Sequence, residues 1–135
     1  MNRYADRRAH AVALVSPDPL IAALIGAAIE LMGYRAEFPR VDELTIDALR
    51  RLRPAYMLID ASDPSAGDET LLGRCMMSDT RVFVFGTAEA TERLRDVAAK
   101  YQAQLIVFPR DIEALPTILT RRLPNRARLP NALDE

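Results

Sequence analysis

The chain has one cysteine (Cys75), one histidine (His10), one lysine (Lys100) and no tryptophan. A lone cysteine excludes an internal disulfide and points to a reducing compartment. One histidine and one cysteine do not make a zinc centre, and a single lysine removes amine chemistry from nearly every position. His10 precedes the first apolar run with no partner near it in sequence, so it is not a catalytic candidate. Net charge is -1, which gives no global attraction to nucleic acid or to an anionic membrane. No apolar run reaches the ~20 residues that a bilayer requires. Arg3, Arg7 and Arg8 before an apolar stretch imitate a secretory signal, but "SPDP" (16–19) interrupts it and the run 20–32 is too short to span. The expectation is a cytoplasmic protein with neither a nucleic-acid nor a membrane partner.

Apolar residues are plentiful. They make up 50% of 135 residues, enough for the core of one domain. They recur as short runs: "AVALV" (11–15), "YRAEF" (34–38), "AYMLID" (55–60), "RVFVF" (81–85) and "QLIVF" (104–108). Runs of this length bounded by Pro, Gly or charge read as strands. Four are continuously apolar, as strands covered on both faces are; "YRAEF" is mixed and reads as an edge strand. Helical patterns alternate with them. Residues 20–32 end at Gly33, with Asp18 or Ser16 as N-cap and Pro19 in the first turn. Residues 41–52 align Val41, Leu44, Ala48 and Leu52. A short helix over 69–77 buries Leu72, Cys75 and Met76. Residues 91–101 align Leu94, Val97, Ala98 and Tyr101, and a last helix carries Leu115, Ile118, Leu119 and Leu123, starting near Glu113 or later because of Pro116.

Strands alternating with helices give a (βα)5 unit. It is an α/β, doubly wound, five-stranded parallel sheet of order 2-1-3-4-5, a flavodoxin-like topology. The boundaries are an N-terminal tail over 1–9, the domain over 10–123 and a mobile Arg- and Pro-containing tail over 124–135. In such folds ligands gather at the C-terminal ends of strands 1 and 3. Here those ends are Ser16-Pro17-Asp18 and Asp60.

The motifs "LVSPDP", "LIDASDP", "FGTAEA" and "VFPR" follow strands 1, 3, 4 and 5 in order. With that order the chain resembles the receiver domain of two-component response regulators over roughly residues 10 to 122. The resemblance implies a site made of two adjacent acids after strand 1, a phosphoacceptor aspartate ending strand 3, a hydroxyl after strand 4 and a lysine before the proline after strand 5. Three carboxylates would hold magnesium, and cations balance the phosphoryl oxygens. Asp60 matches the acceptor, Pro64 the proline four residues later, and Thr87 the phosphoryl-contacting hydroxyl. Ser16 and Pro17 replace the acid pair, with Asp18 one position late. Phe108 replaces the lysine, before Pro109, and Leu105 takes the place of the aromatic in strand 5. The pattern is that of a pseudo-receiver. Asp60 and Asp18 are the only carboxylates left for magnesium, and no resident cofactor is expected.

The helix "LIAALIGAAIELM" offers Ala22, Ala23, Gly26 and Ala27 opposite its core stripe, with only Glu30 charged. A helix apolar all round is buried all round, so this small-residue face is the expected interface, and the chain the expected homodimer. The leading expectation is a stand-alone, non-enzymatic receiver-like module. It acts by contact with a protein of a signalling pathway and does not depend on phosphorylation. The alternatives are a single-domain regulator phosphorylated on Asp60 by a histidine kinase, and a small flavodoxin-like enzyme or nucleotide binder. The third is opposed by "SPDP", whose prolines remove two amide donors where a phosphate cradle would be.

Overall fold

The computed structural model describes residues 11–107. Its strands are β1 (Ala11–Val15), β2 (Arg35–Glu37), β3 (Tyr56–Asp60), β4 (Arg81–Gly86) and β5 (Gln104–Val107). Between them lie α1 (Pro19–Leu31), α2 (Thr45–Leu52), a 3-10 turn (Pro64–Gly67), α3 (Glu69–Met77), α4 (Ala88–Glu92) and α5 (Arg95–Lys100). The strands form one parallel sheet, as the alternation of runs requires, in the expected order β2-β1-β3-β4-β5. The last helical pattern, with Pro116, and both tails lie outside the described residues. No helix among the described residues is long and apolar enough to cross a membrane.

Side-chain alternation sorts the sheet into two apolar layers. Val12, Leu14, Tyr56, Leu58, Phe83, Phe85 and Ile106 share one layer with Ile25 and Ile29 of α1. Ala13, Val15, Met57, Ile59, Val82 and Val84 meet Leu49 of α2 and Leu71, Leu72 and Cys75 of α3 on the other. β1 and β3 are buried along their whole length, which is why they read as unbroken apolar runs. β2 is only half-buried and sits at the edge. There the Glu30 carboxylate accepts from the Ala36 amide at 2.8 Å, occupying a donor that the strand edge would otherwise present to a foreign strand.

The structure corrects the expectations for three of these helical segments, and for α1 it turns Ala22 and Gly26 of the expected outward face inward. First, α2 begins at Thr45, not at residue 41. Asp42 takes a left-handed φ of 69°. Glu43 accepts from the Arg40 amide at 2.8 Å and makes a two-pronged pair with Arg51 (2.7 and 2.9 Å), which fixes the segment as a loop. Val41 and Leu44 are therefore exposed, and the buried residues of α2 are Ala48 and Leu49. Second, the helix expected over 91–101 is two short helices. The Thr91 hydroxyl is turned back to the carbonyls of Thr87 and Ala88 (3.0 and 3.1 Å), and the Leu94 amide bonds to the Thr91 carbonyl at 3.0 Å, so the chain makes a tight turn between the two helices. The expected face survives the break, because Leu94, Val97 and Tyr101 all pack on the second layer. Third, Met76 of α3 is exposed, and Leu71 is buried beside Leu72 and Cys75.

The Arg51 guanidinium and the Arg40 amide hold the Glu43 carboxyl at about 2, below its ordinary 4.5. A depressed carboxyl contributes stability that is complete above the ordinary value and is lost as pH falls through the folded one. Glu43→Gln should therefore unfold at lower urea than the wild type at neutral pH. The gap should narrow below about pH 4.5 and close near pH 2, read from urea midpoints across that range. Backbone packing gives a second expectation. A Cβ on Gly86 would stand 2.9 Å from the Ala61 Cβ, so Gly86→Ala should destabilise the domain by about 1–3 kcal/mol in urea unfolding.

Candidate functional site

Register alone brings the site together. β1 pairs with β3 so that Leu14 faces Leu58 and Val15 faces Ile59. One residue further along, Ser16 faces Asp60. The Ser16 hydroxyl donates to Asp60 Oδ2 at 2.7 Å. A hydroxyl has one hydrogen, and this short bond to an ionised acceptor takes it in preference to the 3.4 Å contact with the Asp18 carbonyl. Ser16 Oγ in turn accepts from the Asp18 amide at 3.1 Å.

Asp60 Oδ1 is also taken. It accepts from the Ser62 amide at 2.9 Å and from the Ser62 hydroxyl at 2.7 Å. Asp60 is one of three buried polar residues among those described, at 7% exposure. A carboxylate taken out of water must be paired with donors or with a cation, and here two hydroxyls and one amide do so. The same residue organises the loop that follows, since its carbonyl accepts from the Asp63 amide at 2.9 Å. Asp63 then caps the 3-10 turn through the Ser65 amide (2.9 Å), with Pro64 in the first position. Ser65 meets the Thr45 hydroxyl at 2.7 Å, which ties the loop to the start of α2.

The other expected site positions serve helix starts. Asp18 caps α1, with Oδ1 accepting from the amides of Leu20 (2.9 Å) and Ile21 (3.4 Å). It is exposed, as is Pro17. Thr87 caps α4, its hydroxyl accepting from the Ala90 amide at 3.2 Å. Phe108 lies outside the described residues. No group of three His, Cys, Asp or Glu side chains able to hold a metal occurs among the described residues. Asp18 and Asp60 are therefore not joined by a third acid there, and their donors are protein groups. Cys75 is buried, and burial pushes its thiol up to about 12, so it supplies no nucleophile.

Two features of this site were not read from the sequence. One is Ser62, although Asp-x-Ser is the spacing at which an aspartate accepts from the amide two residues on. The other is the role of Ser16, which the sequence presents as a candidate N-cap or a replaced acid. Strand order and register together place it opposite Asp60, and it acts as a donor there.

No protein-family model and no curated protein matches the chain. Solved structures do. The Vibrio cholerae chemotaxis protein CheY4 superposes with a TM-score of 0.65 at 19% identity, over 82% of this chain and 96% of that one. A protein described as related to pilus assembly, from Burkholderia pseudomallei, gives 0.63 at 17% identity over 90% and 93%. The BeF3-activated conformation of SdrG from Pseudomonas melonis gives 0.59 at 15% identity over 85% and 97%. At these identities the likeness is one of fold: the chain has the flavodoxin-like fold of the chemotaxis protein.

If hydroxyl donors hold Asp60, an acid at position 16 brings like charges together with nothing between them. Ser16→Asp should lower stability by about 2 kcal/mol or more in magnesium-free urea unfolding, and added magnesium should restore part of the loss. Wild-type stability should not respond to magnesium.

Proposed function

We propose that this chain is a receiver-like signalling module that works by protein–protein contact and does not pass through an aspartyl phosphate. The observation that carries this reading is the 2.7 Å bond from the Ser16 hydroxyl to Asp60 Oδ2, at the strand end where an acid partner would help to hold magnesium. Phosphoryl transfer to a carboxylate depends on cations that neutralise the incoming oxygens. In this chain both Asp60 oxygens accept from protein donors, Asp18 and Thr87 cap helices, and Phe108 stands at the lysine position. The role left to Asp60 is to anchor the β3–α3 loop, whose shape a partner would read. Fold likeness to a chemotaxis protein supports a place in two-component-type signalling; in this reading the module is not an enzyme and works in the cytoplasm.

A second reading, phosphorylation of Asp60 by a histidine kinase, is favoured by its place at the tip of the central strand, with Thr87 directly following the neighbouring strand β4. One experiment separates the two. The protein is incubated with magnesium and either beryllium fluoride or a small phosphodonor, and binding or intact mass is measured. The expected result is no stoichiometric adduct. An adduct that disappears in Asp60→Ala establishes the second reading in place of the first.

A further inference from the structure

Helix α1 divides into two faces, and the division differs from the one expected. Ile25, Gly26 and Ile29 are buried against the sheet. Gly26 belongs there because a Cβ on it would come 3.0 Å from the Phe38 ring, and Ala22 packs half-buried on the same layer. Of the four small residues expected to form an outward face, Ala23 and Ala27 are exposed, and Ala22 and Gly26 turn inward. The outward face is instead led by leucines: Leu20, Leu24 and Leu31 are 66%, 64% and 88% exposed.

With Ala27 between them, these leucines are spaced four, three and four residues apart. That is the spacing of a helix seam that packs against another helix by knobs into holes. We propose that the stripe Leu20–Leu24–Ala27–Leu31 is the interface for a second copy of this chain, paired antiparallel about a two-fold axis that passes between Leu24 and Ala27. The stripe is complementary to itself in that arrangement. Leu20 falls opposite Leu31 of the second copy, and Leu24 opposite its Ala27, so that a large side chain meets a small one at the centre. Charge does not oppose the pairing. Glu30 is the one charged residue of α1, and its carboxylate is turned to the Ala36 amide of its own β2. Covered on both copies, the leucines with Ala23 and Ala27 remove roughly 1,000 Å² from water, about the lower bound for a specific interface. The pairing is thus a reversible one. It goes beyond the proposed function and does not depend on the chemistry of Asp60.

Sedimentation equilibrium of the full chain, together with Leu24→Arg, tests the association. The wild-type mass should rise from monomer toward dimer with concentration. The variant should remain monomeric with an unchanged circular dichroism spectrum and urea midpoint, because position 24 is exposed. Register is read by mixing the single variants Leu20→Cys and Leu31→Cys under oxidising conditions. The mixture should give a disulfide-linked dimer that neither variant gives alone, since like positions lie about 16 Å apart across the axis, and Cys75 is buried. A wild type that is monomeric at every concentration overturns the proposal. So does a Leu24→Arg variant that loses stability as a monomer, which would mean that the chain's own remaining segments cover the stripe. Cross-linking of each variant with itself alone overturns the antiparallel register.

Discussion

A carboxylate buried at the tip of a central strand must be satisfied by something, and the choice of donors decides what the neighbourhood can do. In this chain Asp60 is satisfied from three directions by Ser16 Oγ, Ser62 Oγ and the Ser62 amide. Neutral donors of that kind lock a carboxylate at fixed geometry without needing a cation. Among the described residues no cation pairs with Asp60, and a dianionic group received there would need positive charge to balance it. The connections leaving β1 and β3 follow from the lock. Ser16 is held by Asp60 and accepts from the Asp18 amide, just before Asp18 caps α1. The Asp60 carbonyl holds Asp63, which caps the 3-10 turn. Asp68 then caps α3 through the amides of Thr70 and Leu71.

The same economy of charge appears on the second face of the sheet. Glu69, at the start of α3, accepts from Lys100 at 3.0 Å and from the Tyr101 hydroxyl at 2.9 Å. These bonds lower the Glu69 carboxyl and raise the lysine. The chain's single lysine is thereby placed in a contact between α3 and the end of α5, and it lies over the Tyr101 ring. Glu43 and Arg51 do comparable work across the β2–α2 loop. Charged side chains in this domain hold connections together at the strand ends and helix starts, and the apolar layers carry the sheet.

How much of this could be read in the sequence follows from how local each signal is. "AVALV" and "AYMLID" became β1 and β3 within one residue, because a strand buried on both faces must be apolar throughout. The parallel sheet follows from the alternation of elements, and the flavodoxin-like order fits it with the mixed run "YRAEF" at an edge. The start of α2 was misplaced because Val41 and Leu44 fit a helical stripe, whereas the pair between Glu43 and Arg51 that holds the loop joins residues eight apart. The break at Arg93 is invisible to periodicity, because the apolar positions Leu94, Val97 and Tyr101 keep one face on either side of it. On α1, Gly26 looked like an outward small residue, yet it is the inward gap that admits Phe38 from beyond β2. Asp60 was legible as the residue around which the site is built. Its donors were not, since Ser16 lies 44 residues away and reaches it only through strand register.

If Asp60 is a structural anchor held by the Ser16 hydroxyl, a double-mutant cycle measures that coupling directly. Unfolding free energies are taken for the wild type, Ser16→Ala, Asp60→Ala and the double variant. The lock predicts that removing the Ser16 hydroxyl costs about 1 kcal/mol more when Asp60 is present than when it is absent. An equal cost in both backgrounds would mean that the two residues do not support one another, and it would contradict the account.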